Sequence, residues 1–133
     1  MIQGGDLGDG TGTGSIVVAK DLRVLRIIDG DIAPGSLVSS TFGNMTNVSI
    51  KGSLLGTLSA RDGTIRVLQM LGSDLGASSV IETREMTKLL VSGNVLAGAL
   101  VNVTGLLRTM LVNGDIGIAA GAEIHSDAAA MIR

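Results

Sequence analysis

Residues 22–32 read LRVLRIIDGDI and residues 65–75 read IRVLQMLGSDL, so one pattern occurs twice in the chain. In both stretches a run of Val, Ile and Leu is followed by a short turn with Gly and Asp, and then by another aliphatic residue. The two stretches begin 43 residues apart, which is about twice the length of a shorter repeat. Self-similarity at a period of roughly 20 to 50 residues is typical of solenoids and other arrays. The repeat is therefore the first guide to the fold.

The shorter repeat consists of a small residue, a polar residue and an aliphatic residue, and it occurs five times. Its polar position is occupied by Asp31, Ser53, Asp74, Asn94 and Asp115. These residues are separated by 22, 21, 20 and 21 positions. We call this set the polar column.

Two aliphatic columns accompany the polar column. The column three residues before it contains Ile28, Ile50, Leu71, Val91 and Val112. The column one residue after it contains Ile32, Leu54, Leu75, Val95 and Ile116. Since every position in both columns is aliphatic, we predict that both are rows of the core.

The repeating unit reads as strands. Its runs are short, rich in Val, Ile and Leu, and bounded by Gly, Asn and Asp. Strands that return every 21 residues in the same register require a coiled chain whose turns pair in parallel, about 4.8 Å apart. We predict an all-β parallel β-helix, or β-solenoid, of about six coils. Coils of 20 to 22 residues do not fit the hexapeptide period of left-handed β-helices, so we favour the right-handed form.

The chain reads as a single domain, residues 1–133. Residues 1–21 are a degenerate first coil, residues 22–122 are the regular coils, and residues 123–133 are a C-terminal tail or cap. The last eight residues, 126–133, begin with a possible helix N-cap and continue with helix-forming residues, so a helical cap over the last coil is one expectation.

Composition excludes several classes of protein. The 133 residues include 20 Gly, no Cys and a single His, which leaves no thiolate nucleophile and no Cys-ligated or multi-His metal site. We expect no metal or other cofactor. A net charge of −2 and one aromatic residue argue against a nucleic-acid partner. No apolar run is long enough for a transmembrane segment, and this chain begins without a signal peptide.

The polar column allows two interpretations. A row of stacked carboxylates could bind cations or template ice or mineral. Alternatively, Asp, Asn and Ser suit turns and hydrogen-bond to nearby backbone, so the column would be a structural polar ladder. We favour the structural interpretation.

A basic stripe is a second candidate site. It contains Arg23, Arg66, Lys88 and Arg108, with Thr46 or Asn47 in the gap. A line of positive charge could bind an anionic polysaccharide or a membrane surface. The alternative, which we favour, is an ordinary solvated face.

An enzyme on this fold would need two carboxylates at a set separation in a cleft. Asp29 and Asp31 are the close pair in a regular coil, but uniform coils leave no long loops to build a cleft. We therefore expect no catalytic residue.

The Gly-Asp-aliphatic coils of residues 22–122 resemble the right-handed β-helix repeats of large bacterial surface and secreted proteins, of the adhesin and passenger-domain type. The resemblance implies a non-catalytic structural or adhesive module, secreted or on the cell surface, that continues into further coils of the same polypeptide. Two alternatives stay open. One is a self-assembling filament subunit similar to bactofilins, which would associate end to end; the other is a β-helix that binds or degrades polysaccharide.

Overall fold

The computed structural model describes residues 1–8, 14–117 and 121–133, and it is a parallel β-solenoid of about six turns. The described part of the chain is all β and contains no helix that could cross a membrane. Its strands are β1 (Ile2–Gln3), β2 (Ser15–Val18), β3 (Leu22–Ile28), β4 (Leu37–Ser40), β5 (Met45–Lys51), β6 (Thr57–Met70), β7 (Val80–Val91), β8 (Leu100–Val112) and β9 (Glu123–Ala129).

The strands form one continuous parallel sheet that winds around the core. Along one side the order is β1-β3-β5-β6-β7-β8-β9, and along another β2 pairs with β4 and β4 with β6. The strands β6, β7 and β8 are long enough to pass through a corner and contribute to both sides. Pairing of this kind is the same for either hand of the coil, so the right-handed sense stays a prediction from coil length.

A third side of each coil is held by single bridges instead of long strands. The bridges run from Leu7 to Ile32, then through Leu54, Leu75 and Val95 to Ile116. Ile32, Leu54 and Leu75 are fully buried. The core row predicted just after the polar column is therefore confirmed, and its register defines the direction in which the coils stack.

The core is a stack of aliphatic rows that runs the length of the solenoid. One such row pairs Leu25, Val48, Leu68, Leu89 and Met110. All five are buried, and each lies directly above its counterpart in the preceding coil. Because every coil places equivalent side chains inside, the hydrophobic surface of one coil is covered by the next.

The other predicted core row is wrong at two of its five positions. Ile27, not Ile28, pairs with Ile50 and is buried, and Met70, not Leu71, continues the row. Leu71 is 43% exposed. In these two coils the turn that follows is one residue longer.

The extra residue in each longer turn has a left-handed backbone. It is Asp29 in one coil, with φ 58°, and Gly72 in the other, with φ 78°. Because of this extra residue, the core position in these two coils lies four residues before the polar residue instead of three. Ile28 and Leu71 therefore fall outside the row although both are apolar.

The C-terminal segment is a strand, and the expectation of a helical cap is wrong. Strand β9 pairs in parallel with β8, and Ile132 bridges Met110. The backbone N–H of Ala130 donates to the carbonyl of Leu107 at 3.0 Å. A helix of this length is marginal alone, whereas the edge of β8 offers an aligned row of backbone partners.

Candidate functional site

Three of the five side chains of the polar column form hydrogen bonds with the following coil. A carboxylate oxygen of Asp31 accepts the backbone N–H of Ser53 at 2.6 Å, and one of Asp74 accepts that of Asn94 at 2.6 Å. The amide oxygen of Asn94 in turn accepts the N–H of Asp115 at 2.8 Å. We call these three acceptors, together with Asp6, the first polar ladder, since Asp6 accepts the N–H of Asp31 at 2.7 Å.

Close approach of the coils at this corner depends on glycine. A Cβ atom on Gly52 would overlap the carbonyl oxygen of Gly30 in the coil before it. A Cβ atom on Gly93 would overlap the carboxylate of Asp74. In the intervening coil Ser73 replaces glycine, and its hydroxyl donates to the carbonyl of Gly52. The small residue of the repeat therefore lets the polar side chain reach the next backbone.

The geometry supports the structural interpretation of the polar column over a cation site. One oxygen of each ladder side chain accepts a backbone N–H of the neighbouring coil, so that oxygen is used in holding the coils together. Among residues 1–8, 14–117 and 121–133, no group of three or more His, Asp or Glu side chains could hold a metal ion.

A second polar ladder lies at another corner, and the sequence analysis missed it. Asp21 accepts the backbone N–H of Asn44 at 2.8 Å, and the Asn44 amide oxygen accepts the N–H of Thr64 at 2.8 Å. Here too a Cβ atom on Gly63 would overlap the carbonyl oxygen of Gly43. The signal was present, because Gly43-Asn44-Met45 and Gly63-Thr64-Ile65 repeat the pattern of a small, a polar and an aliphatic residue.

Two side-chain hydroxyls, buried in Thr83 and half-buried in Ser126, also join coils next to the second ladder. The Thr83 hydroxyl donates to the carbonyl of Gly63 at 3.0 Å and accepts the N–H of Ile65 at 3.2 Å. Two coils further on, Ser126 makes the equivalent bonds with Gly105 and Leu107. Within the described residues, every buried side-chain nitrogen and oxygen has a hydrogen-bond partner. The interior polar groups are therefore committed to holding the coils together.

The basic stripe is differently arranged from the sequence-based expectation. The pairs Leu22–Met45, Met45–Ile65, Ile65–Met86 and Met86–Leu107 fix the register. One residue further along each strand, the register stacks Arg23, Thr46, Arg66, Thr87 and Arg108. We call this set the arginine–threonine column. Lys88 lies beside the column, in the neighbouring position that pairs with Val67 and Thr109.

The column lies at a corner where two consecutive residues of each strand face outward. In β5 the buried residues Met45 and Val48 flank Thr46 and Asn47, and β7 has the same arrangement. An open groove of about 780 Å³ runs along this corner from the coil of Arg23 to the coil of Thr87. Its charged lining residues are Asp21, Arg23, Arg66 and Glu85, and Arg108 lies beyond the lining.

The arginines of the column are not neutralised by ion pairs within the described part of the chain. The ion pairs found there are Lys51–Asp29, Arg61–Glu82 and His125–Glu123. The hydrogen bond that Arg61 donates to Glu82, together with the negative charge of Glu82, raises the pKa of Arg61. Arg23, Arg66 and Arg108 are exposed and belong to none of these pairs.

The two carboxylates considered for catalysis have separate partners. Asp29 lies 2.7 Å from the Lys51 ammonium, and Asp31 accepts the N–H of Ser53. Neither residue lines the groove.

No protein-family model, no curated protein and no solved structure matches this chain. Of the resemblance noted from the sequence, the parallel β-solenoid of about six turns is confirmed. The adhesin or passenger-domain type remains a proposal.

Proposed function

We propose that the chain is a non-catalytic structural module with an adhesive outer surface, and that it is part of a larger bacterial surface or secreted protein. Its action is mechanical. Stacked coils form a stiff spacer, and the corners present polar and charged groups to a partner.

The observation that carries this proposal is the use of polar side chains between coils. Asp31, Asp74 and Asn94 at one corner, and Asp21 and Asn44 at another, accept backbone N–H groups of the following coil. Groups that in an enzyme would face a substrate here join one coil to the next. Such an arrangement supports a module whose property is rigidity along its axis.

The regular register supports a spacer as well. At one strand spacing per coil, six coils extend roughly 29 Å along the axis. Each coil contacts only its neighbours, so further coils add length without changing the core. The secreted or cell-surface location rests on the resemblance of the coils to surface and secreted β-helices.

A first experiment tests the non-catalytic part of the proposal. The protein is incubated with a panel of acidic and neutral polysaccharides, and new reducing ends are measured. We expect none. Release of reducing ends that is lost in both Asp29→Asn and Asp31→Asn would overturn the proposal in favour of a polysaccharide-degrading β-helix. The Asp31→Asn variant keeps an oxygen for the N–H of Ser53, so it should retain the fold.

A second candidate is a filament subunit, and the strand edges favour it. Within the described residues β2 pairs only with β4 and β9 only with β8. One edge of each therefore faces away from the stack, and unpaired edges can template the addition of another chain.

Sedimentation velocity with negative-stain microscopy, across a hundredfold range of concentration, separates the two candidates. A spacer remains a single species near 13.4 kDa at every concentration. Filaments that lengthen with concentration and have the width of one coil would replace the spacer proposal by the filament.

A further inference from the structure

We infer that the groove along the arginine–threonine column binds a linear acidic polysaccharide, which lies parallel to the solenoid axis and carries one carboxylate on every second sugar. This binding activity names the chemistry of a partner for the adhesive surface proposed above, and it rests on that part of the proposal. It would hold whether the module is a spacer or a filament subunit.

The positive charges of the arginine–threonine column are regularly spaced. In the arginine–threonine column, Arg occupies alternate coils and Thr the coils between them. Since neighbouring coils are one strand spacing apart, successive arginines lie about 10 Å apart along the axis. A pyranose ring in an extended chain spans about one strand spacing. A polymer with a carboxylate on alternate sugars therefore matches the column in period.

The chemistry of the column matches such a polymer in kind. A guanidinium group can form two parallel hydrogen bonds with a carboxylate, and it remains charged at every relevant pH. Thr46 and Thr87, on the coils between, offer hydroxyls to the uncharged sugars. Asn47 also lines the groove and presents an amide to sugar hydroxyls, whereas the Asn44 amide is used in the second polar ladder.

The central coil is the most cationic part of the groove. On the coil of Arg23 the neighbouring lining residue is Asp21, whereas on the coil of Arg66 it is the neutral Thr64. Part of the Asp21 carboxylate is already used by the N–H and the amide of Asn44. The remaining acidic lining residue, Glu85, lies on the threonine coil next to that of Arg66, where it pairs with Thr64. We therefore assign the largest single contribution to Arg66.

A polysaccharide fits this surface better than a nucleic acid or a membrane does. Among the described residues, the lining of the groove has no aromatic side chain on which bases could stack. Its two arginines, Arg23 and Arg66, lie on one line along the axis, which suits a polymer chain, whereas an anionic bilayer attracts a broad cluster of Lys and Arg.

The test is the affinity of the full chain for fluorescently labelled hyaluronan oligosaccharides, in which alternate sugars carry a carboxylate, at low salt. We expect saturable binding that weakens as NaCl is raised, because the contacts are exposed ion pairs. Arg66→Gln should weaken binding about fivefold, the size of one good exposed ion pair. The double variant Arg23→Gln, Arg66→Gln, which removes both arginines that line the groove, should abolish it.

The matched control is Arg26→Gln. Arg26 is exposed on the same strand as Arg23, but the positions aligned with it in the next two coils are Ser49 and Gln69. We expect its loss to leave the affinity within about twofold of the original, since an isolated surface charge adds little. Equal weakening by Arg26→Gln and Arg66→Gln would show that only net charge matters and would overturn the inference.

A second variant tests the alternation itself. Thr46→Asp places a carboxylate between Arg23 and Arg66, and we expect about tenfold weaker binding, while Thr46→Ser should bind normally. Absence of hyaluronan binding by the unaltered chain would overturn the inference. So would equally tight binding to phosphatidylserine vesicles or to single-stranded DNA. Unchanged thermal unfolding of each variant ensures that the comparison concerns the surface alone.

Discussion

Two columns of polar side chains run along this solenoid and are used in opposite ways. In the first polar ladder, Asp31 and Asp74 accept backbone N–H groups of the following coil at 2.6 Å. In the arginine–threonine column, Arg23 and Arg66 stand at an outward corner and take part in no ion pair within the described residues. One column joins coils, and the other faces solvent.

Side-chain length explains why one column joins coils and the other faces solvent. The oxygen of Asp or Asn is close to its own backbone, so it can reach the N–H of a coil one strand spacing away. A guanidinium lies at the end of a long flexible chain, far from its own backbone, and those of Arg23 and Arg66 belong to exposed side chains. Short polar residues therefore stabilise the stack, while long ones supply a surface for a partner.

The largest effect on stability should come from substituting the glycines of the first polar ladder. Gly52→Ala places a Cβ atom against the carbonyl of Gly30, which is backbone and cannot rotate away. Successive coils would have to separate at this corner. We expect a loss of about 3 kcal/mol or more in the free energy of unfolding, measured by urea denaturation.

Gly5→Ala is the control for that substitution. Gly5 precedes Asp6 of the same ladder, yet a Cβ atom there would meet nothing within 4 Å. Its stability should change by less than about 0.5 kcal/mol. If both alanine variants were equally stable, close approach between coils would not be the reason for glycine at this position.

A smaller effect should follow from removing one ladder acceptor. Asp74→Ala leaves the N–H of Asn94 and its side-chain amide without their shared partner. We expect about 1.5 kcal/mol of destabilisation, the usual effect of losing a partly buried hydrogen-bond acceptor. Asp74→Asn, which keeps an oxygen, should lose less than half of this amount.

Asp62→Ala provides the surface reference for Asp74→Ala. Asp62 is exposed, and its removal should change the denaturation midpoint little. Equal destabilisation by the two alanine variants would mean that general charge, and not the ladder bond, sets the stability.

Much of the fold followed from the repeat because a solenoid uses each position in the same way in every coil. The period of the motif alone was enough to predict the buried row of Ile32, Leu54 and Leu75. The other row failed where two aliphatic residues adjoin, as in Ile27-Ile28 and Met70-Leu71. Hydrophobicity does not distinguish such neighbours, and only the backbone of the turn decides which one faces inward.

The C-terminal strand β9 could not be predicted from local preference. Its alanines favour a helix in isolation, but pairing with β8 is a long-range contact. The choice of Lys88 over Thr87 for the stripe failed for a related reason. Charge suggested Lys88, whereas the register places Thr87 over Arg66.

The candidate sites were only partly readable from the sequence. The motif located the first polar ladder but could not tell whether its carboxylates face solvent or the next coil. Direction depends on the distance between coils at a corner, which Gly52 and Gly93 allow. The second ladder carried the same motif around Asn44, at a less regular spacing.

The smallest effect on stability should come from substitutions in the arginine–threonine column. Arg66 is exposed and belongs to no ion pair in the described part of the chain, so Arg66→Gln should alter the free energy of unfolding by less than about 0.5 kcal/mol. The same variant should weaken hyaluronan binding, so stability and binding separate in the two columns. If Arg66→Gln destabilised the protein as much as Asp74→Ala in urea denaturation, the guanidinium would be part of the coil stacking. The column would then be a third ladder, and the groove would lose the free positive charge on which polysaccharide binding depends.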